Sequence, residues 1–450
     1  MSSKFQHNAW RLLAVMLAVA FLVGFPNCRT AFGAEAEKTD AFFEAGVEWG
    51  GHVRAIGTTS WVDEDSVYPF MDNDPYTDGQ LEGRLKNRID FGQRWSMETH
   101  YELVALWGDT YENTRELEAL APAFYEFSVA EQIVDDDRRL LDLTHVLTEK
   151  DRYLAYHRLD RLNVSHAADW GTLRLGRQAL TWGDGLIFNP MDLFNPFSPT
   201  AVQRDYKVGD DMAHLQIPLN KGELQMLYLP RRDPATGDVE EDVTSYAAKY
   251  HAFVGAIEMD VMAARHYADT IAGLGASGYW GGAAWRINTV YTYLDEGYGR
   301  NDSLQAVANL DYAWIWGGKN YYGLVEFFYN SLGYTDDYER VLADTDLLDR
   351  LDRGELFSVG RYYLSGQVQI ELHPLLQLYT TAIVNLCDPS GVLQPQLVWD
   401  VAEDFQAIFG AQWQWGGSDS EYGGYEVTAA NTTVRLAPAD RVYLWLTYYF

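Results

Sequence analysis

Apolar and polar residues alternate along most of this chain, the period of a strand with one face in an apolar medium and the other in water. Within 43–55, Phe43, Ala45, Val47, Trp49, Val53 and Ala55 share one face, and Glu44, Glu48, His52 and Arg54 share the other. Within 81–91, Leu81, Leu85, Ile89 and Phe91 oppose Glu82, Arg84, Lys86, Arg88 and Asp90. The next strand, 95–107, has Trp95 and Trp107 at its two ends, where the aromatic girdles of a membrane barrel lie. Further strands are predicted at 153–165, 171–180, 211–219, 222–230, 245–254, 256–268, 279–293, 304–316, 321–329 and 360–372. Turns at His373-Pro374, Pro389-Ser390-Gly391, Glu403-Asp404, 416–424 and Pro438-Ala439-Asp440 divide the remainder. The last strand aligns Val442, Leu444, Leu446, Tyr448 and Phe450 on one face. Polar inserts fall at 57–80, 108–151, 182–210, 231–244 and 332–355. The fold expected is all-β: a transmembrane antiparallel β-barrel of about 16–18 strands forming one domain over 37–450. Counting strands puts the acidic, helix-patterned insert 334–355 on the periplasmic side, opposite the earlier long inserts, unless a strand is missed near Gly255 or Gly281.

One stretch breaks the alternation. In 173–199, Leu173 and Leu175 face one way and Arg174 and Gly176 the other, and then regularity stops. Trp182, Leu186, Ile187, Phe188, Leu193, Phe194 and Phe197 seek burial, while Pro190, Pro196 and Pro199 forbid a ladder or helix. A loop of this kind must pack against a wall, and the wall a barrel offers is its lumen. The stretch is therefore expected to fold inward and narrow the bore, with Trp182, Gly183, Asp184, Phe188, Asn195, Pro196, Arg204 and Lys207 forming the constriction.

Gly176-Arg177-Gln178 followed by Trp182-Gly183-Asp184 resembles the G-R-Q…W-G-[DE] signature of a family of proteobacterial outer-membrane porin-like barrels. The G-R-Q part is similar, more loosely, to the alginate-export barrels. The resemblance implies an outer-membrane pore and names no solute. A terminal Phe450 on an amphipathic strand implies recognition by the barrel-assembly machinery, and the strand can close the sheet without a free edge.

Composition agrees with an exported barrel. Lys4, Arg11 and the apolar run 12–25 read as a signal peptide within 1–36, cleaved after about 33 or 36 and too short to span as a helix. Cys28 would leave with it, and the remaining Cys387 can make neither an intrachain disulfide nor a cysteine metal site. The 30 Tyr and 15 Trp suit interfacial girdles. A formal charge of −31 excludes nucleic acid as a partner and places acids on loops and rims, where divalent cations could bridge them to lipopolysaccharide beside the outer-membrane lipid.

No cofactor or metal is expected: Asp72-Asn73-Asp74-Pro75 has the wrong spacing for a calcium loop. Arg84, Lys86 and Arg88 would repel one another on one face unless acids such as Glu98 and Glu102 or an anionic solute offset them. Both readings stand: paired charges, or a basic ladder in a pore wall with Arg174, Arg177, Gln178 and Arg361. Arg177 can equally anchor the loop by bonding carbonyls or Asp184. The run Asp135–Arg139 reads as a solvated face. The function expected is a porin for passive or substrate-selective passage of small hydrophilic solutes, anions among them. Export of an acidic polysaccharide and a partner-holding barrel are the alternatives. A hydrolase is disfavoured, since His100, His145, His157, His166 and His214 sit in no catalytic motif and no G-x-S-x-G occurs.

Overall fold

A computed structural model describes residues 45–62, 75–113, 136–201, 206–295, 299–429 and 432–450. The expected signal segment lies outside these, as do Phe43, Asp72 to Asp74, Asp135 and Arg204. The strands are β1 (Ala45–Trp61), β2 (Tyr76–Phe91), β3 (Trp95–Gly108), β4 (Thr144–Lys150), β5 (Tyr153–Ala168), β6 (Gly171–Gln178) and β7 (Asp210–Leu219). They continue as β8 (Gly222–Leu229), β9 (Ser245–Val254), β10 (Ile257–His266), β11 (Asp269–Trp280), β12 (Ala283–Tyr293), β13 (Asp302–Trp316) and β14 (Lys319–Asn330). The last are β15 (Tyr362–His373), β16 (Leu376–Asn385), β17 (Ser390–Ala402), β18 (Phe405–Trp415), β19 (Tyr425–Ala429), β20 (Thr432–Leu436) and β21 (Asp440–Tyr449). All pairings between named strands are antiparallel, and β1 pairs with both β2 and β21, so the sheet closes. With β4 lying only beside β5 and β19–β20 forming a separate hairpin, the ring holds eighteen strands.

The exterior is apolar where lipid would touch it. Leu274, Ile287, Leu310, Val325, Phe409, Leu444 and Leu446 point outward, and Trp49, Trp95, Trp280, Trp316 and Trp399 mark the periplasmic edge. Among the described residues no helix is long and apolar enough to cross a membrane.

One strand escapes the alternation argument. β10 and β11 are joined at Tyr267 and Ala268, both in left-handed backbone (φ 49 and 68) without the Gly or Asn that such a turn favours. β11 itself is rich in Gly and Ala, and the following turn is Gly281-Gly282, so the strand expected at 279–293 begins only at Ala283. Restoring β11 corrects the parity. The insert with a 3₁₀ helix (Tyr338–Ala343) and α1 (Thr345–Asp352) lies at the same end as the other long inserts, the extracellular end. The stretch between 424 and 438, bounded by predicted turns, is the hairpin β19–β20 and not a wall strand. The insert expected at 57–80 is shorter, because β1 and β2 pair as far as Ser60 and Tyr76.

Closure is made at the β1–β21 seam. Gly51 N donates to Phe450 O at 2.9 Å and Phe450 N to Gly51 O at 3.1 Å. A Cβ on Gly51 would come within 2.7 Å of the Phe450 ring and 2.2 Å of Arg84 O. Gly51→Leu is therefore expected to destabilise the barrel by about 1–3 kcal/mol of overpacking. The readout is a lower temperature for loss of the compact band in heat-modifiability gels; an unchanged temperature would show that the seam does not need this glycine.

Candidate functional site

The segment after the fifth wall strand, β6, described over 179–201 and 206–209, enters the lumen. Three glycines and a web of side-chain bonds fold it tightly. Gly183 has φ +83, and a Cβ there would fall 2.3 Å from Asn189 Oδ1, whose amide nitrogen donates to Trp182 O at 3.0 Å. Gly185 lies against Phe188 O. One half of the loop packs on β7–β12: Trp182, Met191, Leu193 and Phe194 join Met212, Leu227, Leu229, Ala247, Met262, Ala264, Ile271 and Val290. Trp182 Nε1 donates to Gln225 Oε1 at 2.6 Å. The tip packs on β13–β17, where Phe188 stacks on Phe328 with ring centres 4.3 Å apart and planes at 5°. The aromatics are thus packing, not a track for solutes.

The anchor of the tip is Glu326 on β14, fully buried. Its carboxylate accepts from the backbone N–H of Leu186 (2.9 Å), Ile187 (3.1 Å) and Phe188 (2.6 Å), and from Asn309 Nδ2 (3.1 Å). Nothing in the alternation pattern singles Glu326 out; its signal is only a carboxylate on a lumen face. A second tie lies inside the loop. Lys207 Nζ donates to Asp192 Oδ1 and to Leu180 O. Burial pushes the Asp192 carboxyl up and the Lys207 ammonium down, each opposed by the other's charge. Beyond the tip, Thr200 O accepts from Gln394 Nε2 (3.0 Å) on β17 and Gln412 Nε2 (2.8 Å) on β18. Tyr206 then reaches β1 and β2. It stacks on His52 (5.3 Å, 15°), lies under the Arg84 guanidinium (4.3 Å) and Lys86 Nζ (4.2 Å), and accepts from Lys86 Nζ at its hydroxyl.

The wall beneath Tyr206 is highly charged. Arg84 Nη1 donates to Asp160 and Nη2 to Glu102, both at 2.8 Å, and Arg158 also pairs with Glu102. Arg161 Nη1 bonds Asp160 at 2.6 Å, while its Nη2 holds Lys207 O, and Gly209 N donates to Asp160 Oδ1. A shift of register in the β3–β5 pairing puts Leu159 opposite Tyr101 and Arg161 opposite His100. Asp160 occupies the bulge, so Arg158 and Arg161 both face inward although three residues apart. Strict alternation sends Arg161 outward, which is why the pattern hides it. Glu82 joins through His52 Nε2 at 2.9 Å, and Arg54 lies over Trp445. Among the described residues, five cations (Arg54, Arg84, Lys86, Arg158 and Arg161) here meet three carboxylates (Glu82, Glu102 and Asp160).

The structure divides the predicted pore residues. Arg84 and Lys86 belong to this wall, with Lys86 half-buried and Arg84 buried. Glu102 is a partner as anticipated, but Glu98 bonds His100 and Asn163. Arg88 lies lower, mostly exposed and paired with Asp90. Arg174 faces the lumen and donates to Ser165 Oγ at 3.1 Å. Gln178 is spent on the carbonyls of Arg174, Gly176 and Met212, tying the strand end where Gly176 has φ +113. Arg177 is not a lumen residue. It stays on the outward side of Leu175 at the rim, beneath 136–143, bonding Asp211, Asp136 and Leu141 O rather than Asp184. The run expected to be a solvated face is thus partly a core: Asp136 is buried, and although burial raises its pKa, Arg139 and Arg177 outweigh this and hold it at about 2. Arg361 ties Gly333 O in the loop before β15. Asp184 is half-buried; burial and the neighbouring Asp260 push it up, against Lys249 and Arg286. Asn195 takes φ 53, and its amide approaches Val208 O at 3.5 Å; Pro196 is half-buried beside it.

The predicted histidines form no catalytic set. A histidine outside that set, His266, bridges Ser245 Oγ (2.8 Å) and Glu355 (3.4 Å). Ser245 is fully buried and its hydroxyl also accepts from Arg231, so it presents no face to a substrate.

With this geometry in view, similar solved structures fix the fold class. The chain is similar to OccAB2 of Acinetobacter baumannii, with 11% identity and TM-score 0.51, covering 92% of this chain and 99% of that one. It is equally similar to OccK2 (OpdF) of Pseudomonas aeruginosa in complex with glucuronate, with 11% identity and TM-score 0.51, covering 91% and 99%. The fold is that of an outer-membrane porin. Together with the apolar exterior it makes this chain an integral outer-membrane barrel. No family model matches the sequence, and no curated protein matches it.

Two outcomes follow. Glu326→Ala leaves three buried N–H groups without their acceptor, each costing about 1–3 kcal/mol; the loop tip is expected to detach, seen as larger and noisier single-channel conductance, whereas an unaltered conductance would remove Glu326 as the anchor. On the extracellular side, Glu421 accepts from Tyr363 (2.5 Å), Asn385 (2.8 Å) and Val359 N (2.9 Å). Burial first, and Asp388 beside it, push Glu421 up to about 7 from 4.5. The folded carboxyl binds its proton more tightly than the unfolded one, so its stability contribution is full below pH 4.5 and is lost as pH rises to 7. Unfolding temperature across that window should fall in the wild type relative to Glu421→Gln; parallel profiles would contradict this.

Proposed function

We propose that this barrel is an outer-membrane channel for small hydrophilic solutes, with preference for anions. The observation that carries the reading is the seat of Tyr206: the inward loop bears on the lumen wall where, among the described residues, five cations meet three carboxylates. Such a wall attracts anions electrostatically, and a narrowed, partly desolvated passage strengthens the attraction. The cations are held by their acids, so the wall keeps its shape while retaining an excess of positive charge. A sheath for a polymer needs a clear bore, and the loop anchored across this one supports passage of small molecules instead. Lys86 is the solute contact, because its side chain is half-buried and pairs with no carboxylate among the described residues, whereas Arg84 is locked by two.

The test is single-channel recording in a planar bilayer under a salt gradient. The wild type should give a reversal potential on the anion-selective side. Lys86→Glu should move it toward cations with the barrel still folded, and Arg84→Ala should mainly lower stability. A folded barrel that passes no current would overturn the channel reading; a reversal potential indifferent to Lys86→Glu would overturn the anion preference.

A further inference from the structure

The lumen wall next to the cationic one has a different chemistry. Lumen-facing positions on β15–β18 carry Gln394, which touches the loop at Thr200, and below it Gln367, Gln369, Gln377, Gln396, Gln406 and Tyr379. No cation occupies a lumen-facing position on these four strands, and the two acids there, Glu371 and Asp400, lie at the periplasmic edge. The register puts these amides in contiguous rows. Gln367, Thr381 and Gln394 are paired in sequence across three strands, and Gln369, Tyr379, Gln396 and Gly410 across four. Gly410 makes room for the next lumen residue round the ring: a Cβ there would meet the Tyr443 phenol at 2.2 Å, so that ring lies flat on the wall beside Gln396.

The amides are held by their nitrogens. Gln367 Nε2 donates to Thr381 Oγ1 (2.9 Å), Gln369 Nε2 to Gln377 Oε1 (2.7 Å), Gln394 Nε2 to Thr200 O (3.0 Å), and Gln406 Nε2 to Asp400 Oδ1 (2.9 Å). Bonds of this kind orient the side chains through their nitrogens, so that the carbonyl oxygens of Gln367, Gln369, Gln394 and Gln406 remain available, whereas Gln377 Oε1 accepts from both Gln369 and Tyr379. The amides of Gln367, Gln369, Gln394, Gln396 and Gln406 are half-buried, so a passing solute can reach them. An uncharged wall rich in fixed acceptors has little attraction for ions. It binds molecules that offer many O–H donors at short, regular spacing and can replace water bond for bond.

We infer that β15–β18 form a neutral binding track for hydroxyl-rich solutes, the saccharide or polyol class, beside the cationic wall. This inference rests on the channel reading above and extends it. The track adjoins β21 and β1, so a solute can meet amides along its body while any negative group lies toward Lys86.

The test is current-noise analysis of single wild-type channels with the neutral trisaccharide maltotriose added from the periplasmic side. Poly(ethylene glycol) of similar size, which lacks donors along its chain, is the control. Maltotriose should produce concentration-dependent interruptions and the polymer none. Gln369→Leu/Gln396→Leu, which removes two acceptors, should weaken the trisaccharide by about tenfold or more. Gln396→Asn, a smaller change, should keep the fold and weaken binding less; compact gel mobility checks the folding of both variants. Current with normal ion preference but no interruptions overturns the track and leaves the channel standing. Interruptions equally strong in the folded double variant overturn it as well. Absence of current in the wild type overturns the channel reading itself.

Discussion

A loop inside a barrel has to satisfy its own backbone, and that constraint organises this molecule. The described residues of the loop, 179–201 and 206–209, form neither helix nor ladder, so their N–H groups have no regular partners once they leave water. Glu326 meets the need at the tip, where one carboxylate accepts three consecutive amides. The geometry fixes which strand the tip touches, and hence where Phe188 can stack and where the chain must turn back. Asp192 and Lys207 close the loop on itself, and Thr200 and Tyr206 return it to the wall. The loop is a folded element in its own right, with a hydrophobic interior made jointly with the barrel.

Charge follows the same logic. A guanidinium taken out of water is tolerable only with a partner, and Arg84, Arg158 and Arg161 obtain theirs from Glu102 on β3 and Asp160 on β5. The network therefore has two consequences at once. It rigidifies the wall on which the loop rests, and among the described residues its cations are mostly paired rather than an open row. Arg177 shows the alternative outcome. It has the same chemistry and sits one strand away, but on the outer side of the rim it ties 136–143 to the barrel and contributes nothing to the bore.

The lumen is consequently asymmetric. The loop covers the strands from β7 to β17 with apolar packing at its own level, and the arc from β15 through β21 to β5 is otherwise lined by amides and then by ion pairs. Selectivity in such a passage comes from which side chains remain reachable beside the loop, since the strand ring itself is common to barrels of this size.

The sequence by itself determined the barrel. Period-two alternation is a one-dimensional property, set by lipid on one side and water on the other, so the wall strands from β1 to β10, the aromatic edges and Phe450 at the seam were legible, while β4, inside the stretch read as an insert, was not. The need of Trp182, Phe188 and Phe194 for burial among prolines likewise marked the inward loop. What alternation could not carry was anything decided by a break in it or by a distant partner. β11 was hidden by a turn at Tyr267-Ala268 with unexpected residues, and Arg161 by a bulge. Glu326 looked like any lumen carboxylate until the loop arrived, and Asp136 looked like surface until Arg177 covered it. Those assignments depend on which groups meet after closure, and pairing across more than a hundred residues leaves no periodic trace in the chain.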